Sequence, residues 1–227
     1  MIKTDAFNGL RNLTILSLDE CNVTSIRAFA FRGLSRLKQL SIEHTPLEVV
    51  SAFAFAGLHE LEMIRLTNNR IHTIEGEAFA GSSHINLLLL NQNPMRLLKS
   101  KAFSGLADVK HLVIPSGIAG IQADAFNGLD HVGVLKLAYM DLPSLDANTF
   151  RGLSHVHYLH ILHSDLGVIR KDVFLGLSQV LNLFIQNNKI DAIEEFRILA
   201  SNKIGNVHFI GNHLLENPDP GAINIQV

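Results

Sequence analysis

Residues 61–81 read LEMIRLTNNRIHTIEGEAFAG, and this stretch decides the fold. Its apolar residues and one asparagine have the spacing LxxLxLxxNxLxxL, and a phenylalanine followed two positions later by glycine closes the pattern. The phenylalanine returns along the chain every 24 residues, with a single interval of 23. Its positions are Phe7, Phe31, Phe55, Phe79, Phe103, Phe126, Phe150 and Phe174. A pattern that recurs at a fixed period of this length predicts a chain of stacked repeats.

The LxL part of each repeat alternates apolar and variable residues, which predicts a short strand with one apolar face. A single repeat cannot bury that face alone, so neighbouring repeats must stack and form one parallel sheet. We expect the recurrent phenylalanine to point inward from the opposite, convex side. The glycine beside it permits the turn that reverses the chain.

The pattern ends near the C-terminus. Eight repeats are complete, and a partial ninth has Ile198 where the phenylalanine should stand. We therefore predict one repeat array over residues 1–217 without an N-terminal cap. Residues 218–227 are predicted to be a tail or a capping strand, since Ile223, Ile225 and Val227 alternate after Pro218 and Pro220.

The phrase Ala-Phe-x-Gly-Leu, as in Ala6–Leu10 and Ala125–Leu129, together with the 24-residue period, resembles the typical extracellular leucine-rich repeats of animal cell-surface and secreted proteins. The resemblance covers about residues 2–214. It implies an α/β repeat fold: a right-handed horseshoe-shaped solenoid with a parallel β-sheet on its concave face and short helical or irregular segments on its convex face. It also implies protein recognition outside the cell, as a ligand, receptor or adhesion module, through the concave face.

Two features leave an alternative open. The stretch Leu112–Phe126 resembles the shorter leucine-rich repeats of bacterial and protozoan surface proteins. Cys21 is the single cysteine, whereas the animal proteins usually carry disulfide-bonded caps. The alternative is therefore an intracellular or microbial-surface scaffold or adhesin of the same fold. Because Ile2 is in phase with the last apolar position of later repeats, we also expect the chain to be a fragment of a longer array.

The asparagine position has its own predicted role. In the leucine-rich repeat family this side chain usually faces inward and bonds to backbone groups of adjacent turns. Here the position holds Cys21, Thr45, Asn69, Asn93, Met140, Ser164, Asn188 and Asn212. We predict a partly polar internal ladder in which Cys21 is a buried free thiol. In the fifth repeat, where Pro115 follows the strand and the interval is 23, we predict a local kink or bulge.

Strand positions that point away from the core are the ones on which specificity can depend. They are polar in the first three repeats, as at Ser17 and Glu43, and become apolar and aromatic from the fourth repeat onward. We predict that they form a protein interface with a polar rim; cover by neighbouring segments is the alternative. The predicted binding residues are Arg65, Leu87, Leu89, Val113, Val134, Lys136, Tyr139, Tyr158, His160, Leu162, His163, Phe184 and Gln186.

Five of the twelve histidines lie in or next to the seventh repeat: His131, His155, His157, His160 and His163. We predict no metal site, because a flat strand spaces its side chains too widely to converge on one ion. Two alternatives stay open. One is an interface that responds to pH, since histidine titrates near pH 6.5, and the other is an ordinary polar surface.

Other function classes find little support in the sequence. No phosphate-binding loop, HExxH or GxSxG motif is present, so we predict no enzyme, no cofactor and no metal. The 19 basic and 21 acidic residues give no reason to expect nucleic acid. The apolar run Leu87–Leu90 is too short to span a bilayer, so we predict no membrane insertion in this segment.

Two sequons, at Asn12 and Asn22, are candidate glycosylation sites and favour an extracellular or cell-surface location. The predicted partner is a protein ligand or receptor. A homo-oligomer is a further possibility.

Overall fold

The computed structural model describes residues 1–147, 149–171, 173–174, 176–194, 196–198, 203–218 and 223–225, with the backbone alone described at 196–198 and 223–225. Its main element is a nine-stranded parallel sheet to which each repeat contributes one strand. The strands are β1 Ile15–Ser17, β3 Gln39–Ser41, β5 Met63–Arg65, β7 His84–Leu89, β9 Asp108–Val113, β11 His131–Ala138, β13 His155–Leu162, β15 Gln179–Gln186 and β19 Ile204–Ile210. They lie side by side in chain order, as stacked coils of one solenoid require.

Shorter strands pair between the same positions of successive repeats, away from the main sheet. They are β2 Ser25–Ile26, β4 Val49–Val50, β6 Thr73–Ile74, β8 Leu97–Leu98, β10 Gly120–Ile121, β12 Ser144–Leu145, β14 Val168–Ile169, β16 Lys189–Ile190, β17 Ala192–Ile193, β18 Phe196–Ile198, β20 His213–Leu214 and β21 Ile223–Ile225. All of these pairs are parallel. The chain is therefore hydrogen-bonded from coil to coil at several points of each turn.

The recurrent phenylalanines form a continuous internal stack, as predicted. From Phe31 to Phe174 their side chains are fully buried, whereas Phe7 in the first repeat is half-buried. Successive rings are nearly parallel, with centroids 5.3 Å apart between Phe55 and Phe79 and 6.5 Å apart between Phe126 and Phe150. Burying a side chain of this size stabilises the fold by about 1.5–3 kcal/mol. The stack thus runs the length of the core.

The asparagine ladder is also confirmed. Asn93 Nδ2 donates to the carbonyl oxygens of Leu66 and Leu90, both at 2.8 Å, and its Oδ1 accepts from the backbone N–H of Ile71 at 3.0 Å. Asn69, Asn188 and Asn212 bond to backbone groups of adjacent turns in the same way. These side chains give hydrogen-bond partners to backbone groups that the core hides from water.

The prediction for Cys21 is wrong, because its side chain is exposed. Thr45, at the same position of the second repeat, is buried and bonds to Asn69 Oδ1 at 2.9 Å. Thr45 lies between two coils, whereas in the described chain Cys21 belongs to the first coil and is covered from one side alone. Burial at this position therefore depends on neighbours as well as on the repeat pattern.

The fifth repeat is one residue shorter than the others, and the missing residue falls in a loop. Strand β9 pairs with β7 at a constant offset of 24 and with β11 at a constant offset of 23, so no bulge interrupts it. The missing residue falls between Val113 and Gly120, where Gly117 has a positive φ of 77° and its N–H donates to the Tyr139 carbonyl at 2.7 Å. The predicted irregularity takes the form of a shorter loop.

The convex segments are turns, and the described residues contain no helix, so the helical part of the prediction is not confirmed. The first six segments have residues of positive φ four positions apart, such as Lys101 at 58° and Gly105 at 99°, which a right-handed helix cannot include. At Gly105 an added Cβ would lie 2.6 Å from the Ala80 Cα, so glycine alone fits the close stacking of the turns.

Near the C-terminus, β18 pairs in parallel with β21, which covers Ile223 and Ile225 of the predicted last strand. Pro220 and Val227 lie outside the described residues. The division into an array over 1–217 and a tail or capping strand over 218–227 stays a prediction.

Candidate functional site

The candidate site is the solvent-facing side of the main sheet, on the face that the resemblance predicts to be concave. We call this side of the sheet the outer face. Along each strand the core residues alternate with residues that point outward, as at Leu135 and Leu137 with Lys136 between them. Because all strands are parallel and in register, equivalent outward residues of successive repeats form rows across the sheet. We name the central one the middle row; it consists of Ser17, Ser41, Arg65, Leu89, Val113, Lys136, His160, Phe184 and His208.

All thirteen predicted binding residues lie on the outer face or in the loop that follows it, and none is fully buried. The structure brings them together as register neighbours: Val134 beside Tyr158, His160 beside Phe184, and Leu162 beside Gln186. The exposed ones are Lys136, Tyr139, Tyr158 and His163, and the half-buried ones are Arg65, Leu87, Leu89, Val113, Val134, His160, Leu162, Phe184 and Gln186.

On the outer face of the first three repeats, polar groups form hydrogen bonds with one another. Asp19 accepts hydrogen bonds from the hydroxyls of Ser17 at 2.8 Å and Ser41 at 2.7 Å and from the Glu43 N–H at 2.8 Å. The Thr67 hydroxyl donates in turn to Glu43. Burial raises the pKa of Asp19, but these three hydrogen bonds together outweigh it and hold the pKa below its ordinary value.

From the sixth repeat onward, stacked rings replace that hydrogen-bonded network. In the middle row the Phe184 ring lies between two imidazoles, with centroids 4.7 Å from His160 and 4.4 Å from His208. In the following loop Tyr139 stacks on His163 at 5.5 Å. Tyr139 is 61% exposed and Tyr158 44% exposed, so the planar groups stay accessible to a partner.

His160 titrates in an unusual setting among these rings. Burial among its neighbours lowers its pKa, and the positive charge of Lys136, the adjacent residue in the middle row, lowers it further. The neutral imidazole is therefore favoured, which suits stacking against Phe184.

A groove of about 740 Å³ lies beside this face, where the strands of the fourth to seventh repeats extend toward their N-terminal ends. Its apolar part includes Val132, Val134 and Tyr158. Gly133 lines the groove, and an added Cβ there would lie 2.4 Å from the Lys110 carbonyl oxygen. The two neighbouring strands thus approach too closely at this point for any residue but glycine.

Histidines surround this groove, namely His84, His111, His131, His155 and His157. Asp108 lies between two of them: one carboxylate oxygen is 3.1 Å from His84 Nε2 and the other 3.1 Å from His131 Nδ1. The His131 ring stacks in turn on His155, with centroids 4.7 Å apart. Lys110 contributes the one permanent positive charge among the lining residues.

The sequence pattern groups His131, His155 and His157 but does not reveal the groove. A signal was present: His84, Asp108, His131 and His155 occupy the same repeat position, 24 or 23 residues apart. His163, placed in the same histidine group by sequence, lies instead beside Tyr139 in the loop after the strands. The described residues contain no group of three histidine, cysteine, aspartate or glutamate side chains placed to hold a metal ion.

Comparison with known proteins gives a family and a fold. A family model described as the BspA type leucine rich repeat region matches six copies, over residues 1–133 and 97–217. No curated protein matches the chain.

Among solved structures, the chain resembles TLR13 from a complex with ssRNA13, with a TM-score of 0.70 and 23% identity over 85% of this chain and 27% of that one. It also resembles Toll from the Drosophila Toll–Spatzle complex, with a TM-score of 0.72 and 19% identity over 92% and 30% of the two chains. The leucine-rich repeat domain of APL1B matches with a TM-score of 0.61 and 18% identity over 89% and 56%. The chain thus spans between about a quarter and a little over half of these structures.

Proposed function

The chain belongs to the BspA-type leucine-rich repeat family, and from this premise we propose that it is a protein-interaction module whose outer face, from Leu87 to Ile210, binds a protein partner. The single observation that carries the proposal is the set of accessible aromatic rings on that face. Tyr139 and Tyr158 are exposed, and Phe184 stacks between imidazoles that hold its orientation. Rigid aromatic groups lose little conformational entropy on binding and commonly dominate the energy of an interface.

The same face offers the polar surround that such an interface needs. Lys136 and Gln186 lie at the borders of the ring cluster, and Ile210, 56% exposed, extends its apolar part into the last repeat. A partner that covers the rings therefore meets hydrogen-bonding groups at its edge. We propose no catalytic role for any of these residues.

The location we propose is a cell surface or the extracellular space. It rests on the resemblance of the repeats to those of animal cell-surface and secreted proteins, and on the likeness to Toll, which was solved in complex with Spatzle, and to TLR13, which was solved with RNA. The exposed side chains of Asn12 and Asn22 are accessible to glycosylation if the chain is secreted by an animal cell.

The family match favours a second candidate, in which the chain is part of a microbial-surface adhesin or an intracellular scaffold. Both candidates use the outer face in the same way and differ in the source of the partner. The upstream reading frame separates them: the animal protein should encode a signal peptide and a cysteine cluster there.

The test replaces Tyr139 and Phe184 by serine together and compares the proteins that the immobilised variant and wild type retain. We expect at least one protein to be retained by wild type and lost by about tenfold or more with the double variant. The melting temperature should stay unchanged, because both side chains lie on the outer face.

A matched control is Ile15→Ser, which removes an apolar side chain that is 59% exposed at the polar end of the same sheet. Retention of the partner by this variant places the binding energy at the aromatic end. Equal loss of binding in both variants, or a fall in melting temperature that parallels the loss, contradicts the proposal.

A further inference from the structure

The groove over Gly133 has a charge pattern that the proposed interface does not use. Six basic side chains line it, against the single carboxylate of Asp108: His84, His111, His131, His155, His157 and Lys110. Asp108 is already shared between His84 and His131. When the histidines are protonated, the lining thus has a large excess of positive charge over one partly neutralised negative charge.

The charges just outside the groove do not cancel this excess. Glu62, beside the His84 end, pairs with Lys38 at 3.2 Å. Glu60 lies in the same shallow depression as Lys38 and His59. At the other end Asp130 is exposed, so that solvent screens its carboxylate, and its backbone oxygen contacts His155 Nδ1 at 3.2 Å.

The shape of the groove selects among anionic ligands. Its apolar part reaches to Val132, Val134 and Tyr158, and its volume of about 740 Å³ is enough for several side chains. A nucleic acid carries a phosphate at every nucleotide and is bound mainly through lysine and arginine side chains, of which the lining has Lys110 alone. A peptide that alternates acidic and apolar residues brings fewer charges and covers the apolar part as well. The chemistry therefore favours an acidic, partly apolar protein segment over a nucleic acid.

We propose that the groove over Gly133 binds an acidic, partly apolar segment of a protein, and binds it more tightly as the pH falls through the range in which its histidines take up protons. The inference rests on the proposed function in that it names the chemistry of a protein partner. It concerns a different part of the sheet from Tyr139 and Phe184. A carboxylate bound among the histidines stabilises their charged forms, so ligand and protons bind cooperatively.

The experiment measures the binding of a fluorescein-labelled peptide of alternating glutamate and leucine by fluorescence anisotropy, at pH 7.5 and pH 5.5. We expect binding to be about tenfold tighter at the lower pH. The variant His111→Gln/His157→Gln should lose most of this gain, whereas His72→Gln, an exposed histidine outside the groove, should keep it.

A second variant should raise the affinity for the acidic peptide, whereas His111→Gln/His157→Gln should lower it. Asp108→Asn removes the one carboxylate of the lining, so it should strengthen peptide binding at pH 7.5 by about threefold. Damage to the fold would weaken binding, and a gain therefore identifies the charge of the groove as the cause.

Three results would overturn the proposal: affinity that does not change with pH, equal binding of a lysine–leucine peptide, or tighter binding of oligothymidylate of the same charge. The last of these would assign the groove to nucleic acid. The Tyr139→Ser/Phe184→Ser variant should bind the acidic peptide as wild type does. Failure of the proposed interface and failure of the groove are thus separate outcomes.

Discussion

The outer face differs between the first three repeats and the last four, although the core beneath them is the same. In the first three, Asp19, Ser41 and Glu43 satisfy one another by hydrogen bonds. In the last four, the rings of His160, Phe184 and His208 stack and stay accessible. The inward residues are constrained by the neighbouring coils, whereas the outward residues are free to differ. The repeat pattern therefore determines the scaffold and leaves the outward side chains of each end free to take on a different chemistry.

The largest expected loss of stability comes from a substitution in the core that both ends share. Phe103 lies in the middle of the phenylalanine stack and is fully buried, with its ring 5.9 Å from that of Phe126. Phe103→Ala should lower the free energy of unfolding by about 3–5 kcal/mol. Urea denaturation followed by circular dichroism measures the change.

The control for this prediction is Phe184→Ala, which removes the same side chain from the outer face. It should cost less than about 1 kcal/mol, since Phe184 is half-buried and no cavity forms around it. Two separate unfolding transitions in Phe103→Ala would show that the two ends do not share one cooperative core. The two ends would then differ in their core as well as on the outer face.

An intermediate effect is expected from the asparagine ladder. Asn93→Ala leaves the Leu90 carbonyl and the Ile71 N–H without their side-chain partner, whereas the Leu66 carbonyl keeps its bond from Asn69 Nδ2 at 2.9 Å. Each unsatisfied buried group costs about 1–3 kcal/mol, and water entry at the mutated site should reduce the total, so we expect about 2–3 kcal/mol of destabilisation by urea denaturation. Asn91→Ala, two residues earlier and half-buried, should cost less than about 0.5 kcal/mol. If Asn93→Ala and Asn91→Ala lowered the free energy of unfolding equally, the asparagine ladder would not stabilise the fold.

Most of the fold follows from the sequence because the repeat identifies inward positions. The phenylalanine stack, the parallel sheet and the bonding of Asn69 and Asn93 all occur where the period predicts them. The failures are local. Cys21 is exposed because burial needs a coil on each side, and the convex segments are turns because residues such as Phe53, with a φ of 58°, interrupt any helix.

Less of the candidate site follows from the sequence. The alternation within each strand gave the outward positions correctly, so Tyr158 and Phe184 lie where they were expected. The groove was not predicted, because its lining comes from four neighbouring strands that extend beyond the LxL pattern. That extension arises from the spatial packing of neighbouring repeats.

The smallest expected effect concerns pH, and it separates the two ends of the outer face. The folded state lowers the pKa of Asp19, so its contribution to stability is present above the unfolded pKa of about 3.9 and is lost as the pH falls through the lower folded value. The folded state also lowers the pKa of His160. The unfolded chain then binds the proton more readily, and stability is lost as the pH falls from about 6.5 through the folded value.

The polar end, with Asp19, and the aromatic end, with His160, should therefore lose stability in different pH ranges. His160→Gln should reduce the loss of stability between pH 7.5 and 5.0 by a few tenths of a kcal/mol, since solvent screens the charge of a half-buried group. Asp19→Asn should leave that window unchanged and reduce the loss below about pH 4. Urea denaturation across the pH range measures both, and an NMR titration of the His160 ring should show its pKa rising in Lys136→Gln and not in Lys110→Gln. A His160 pKa that does not respond to Lys136 would mean that burial alone sets it, and the middle row would then transmit no charge effect from one repeat to the next.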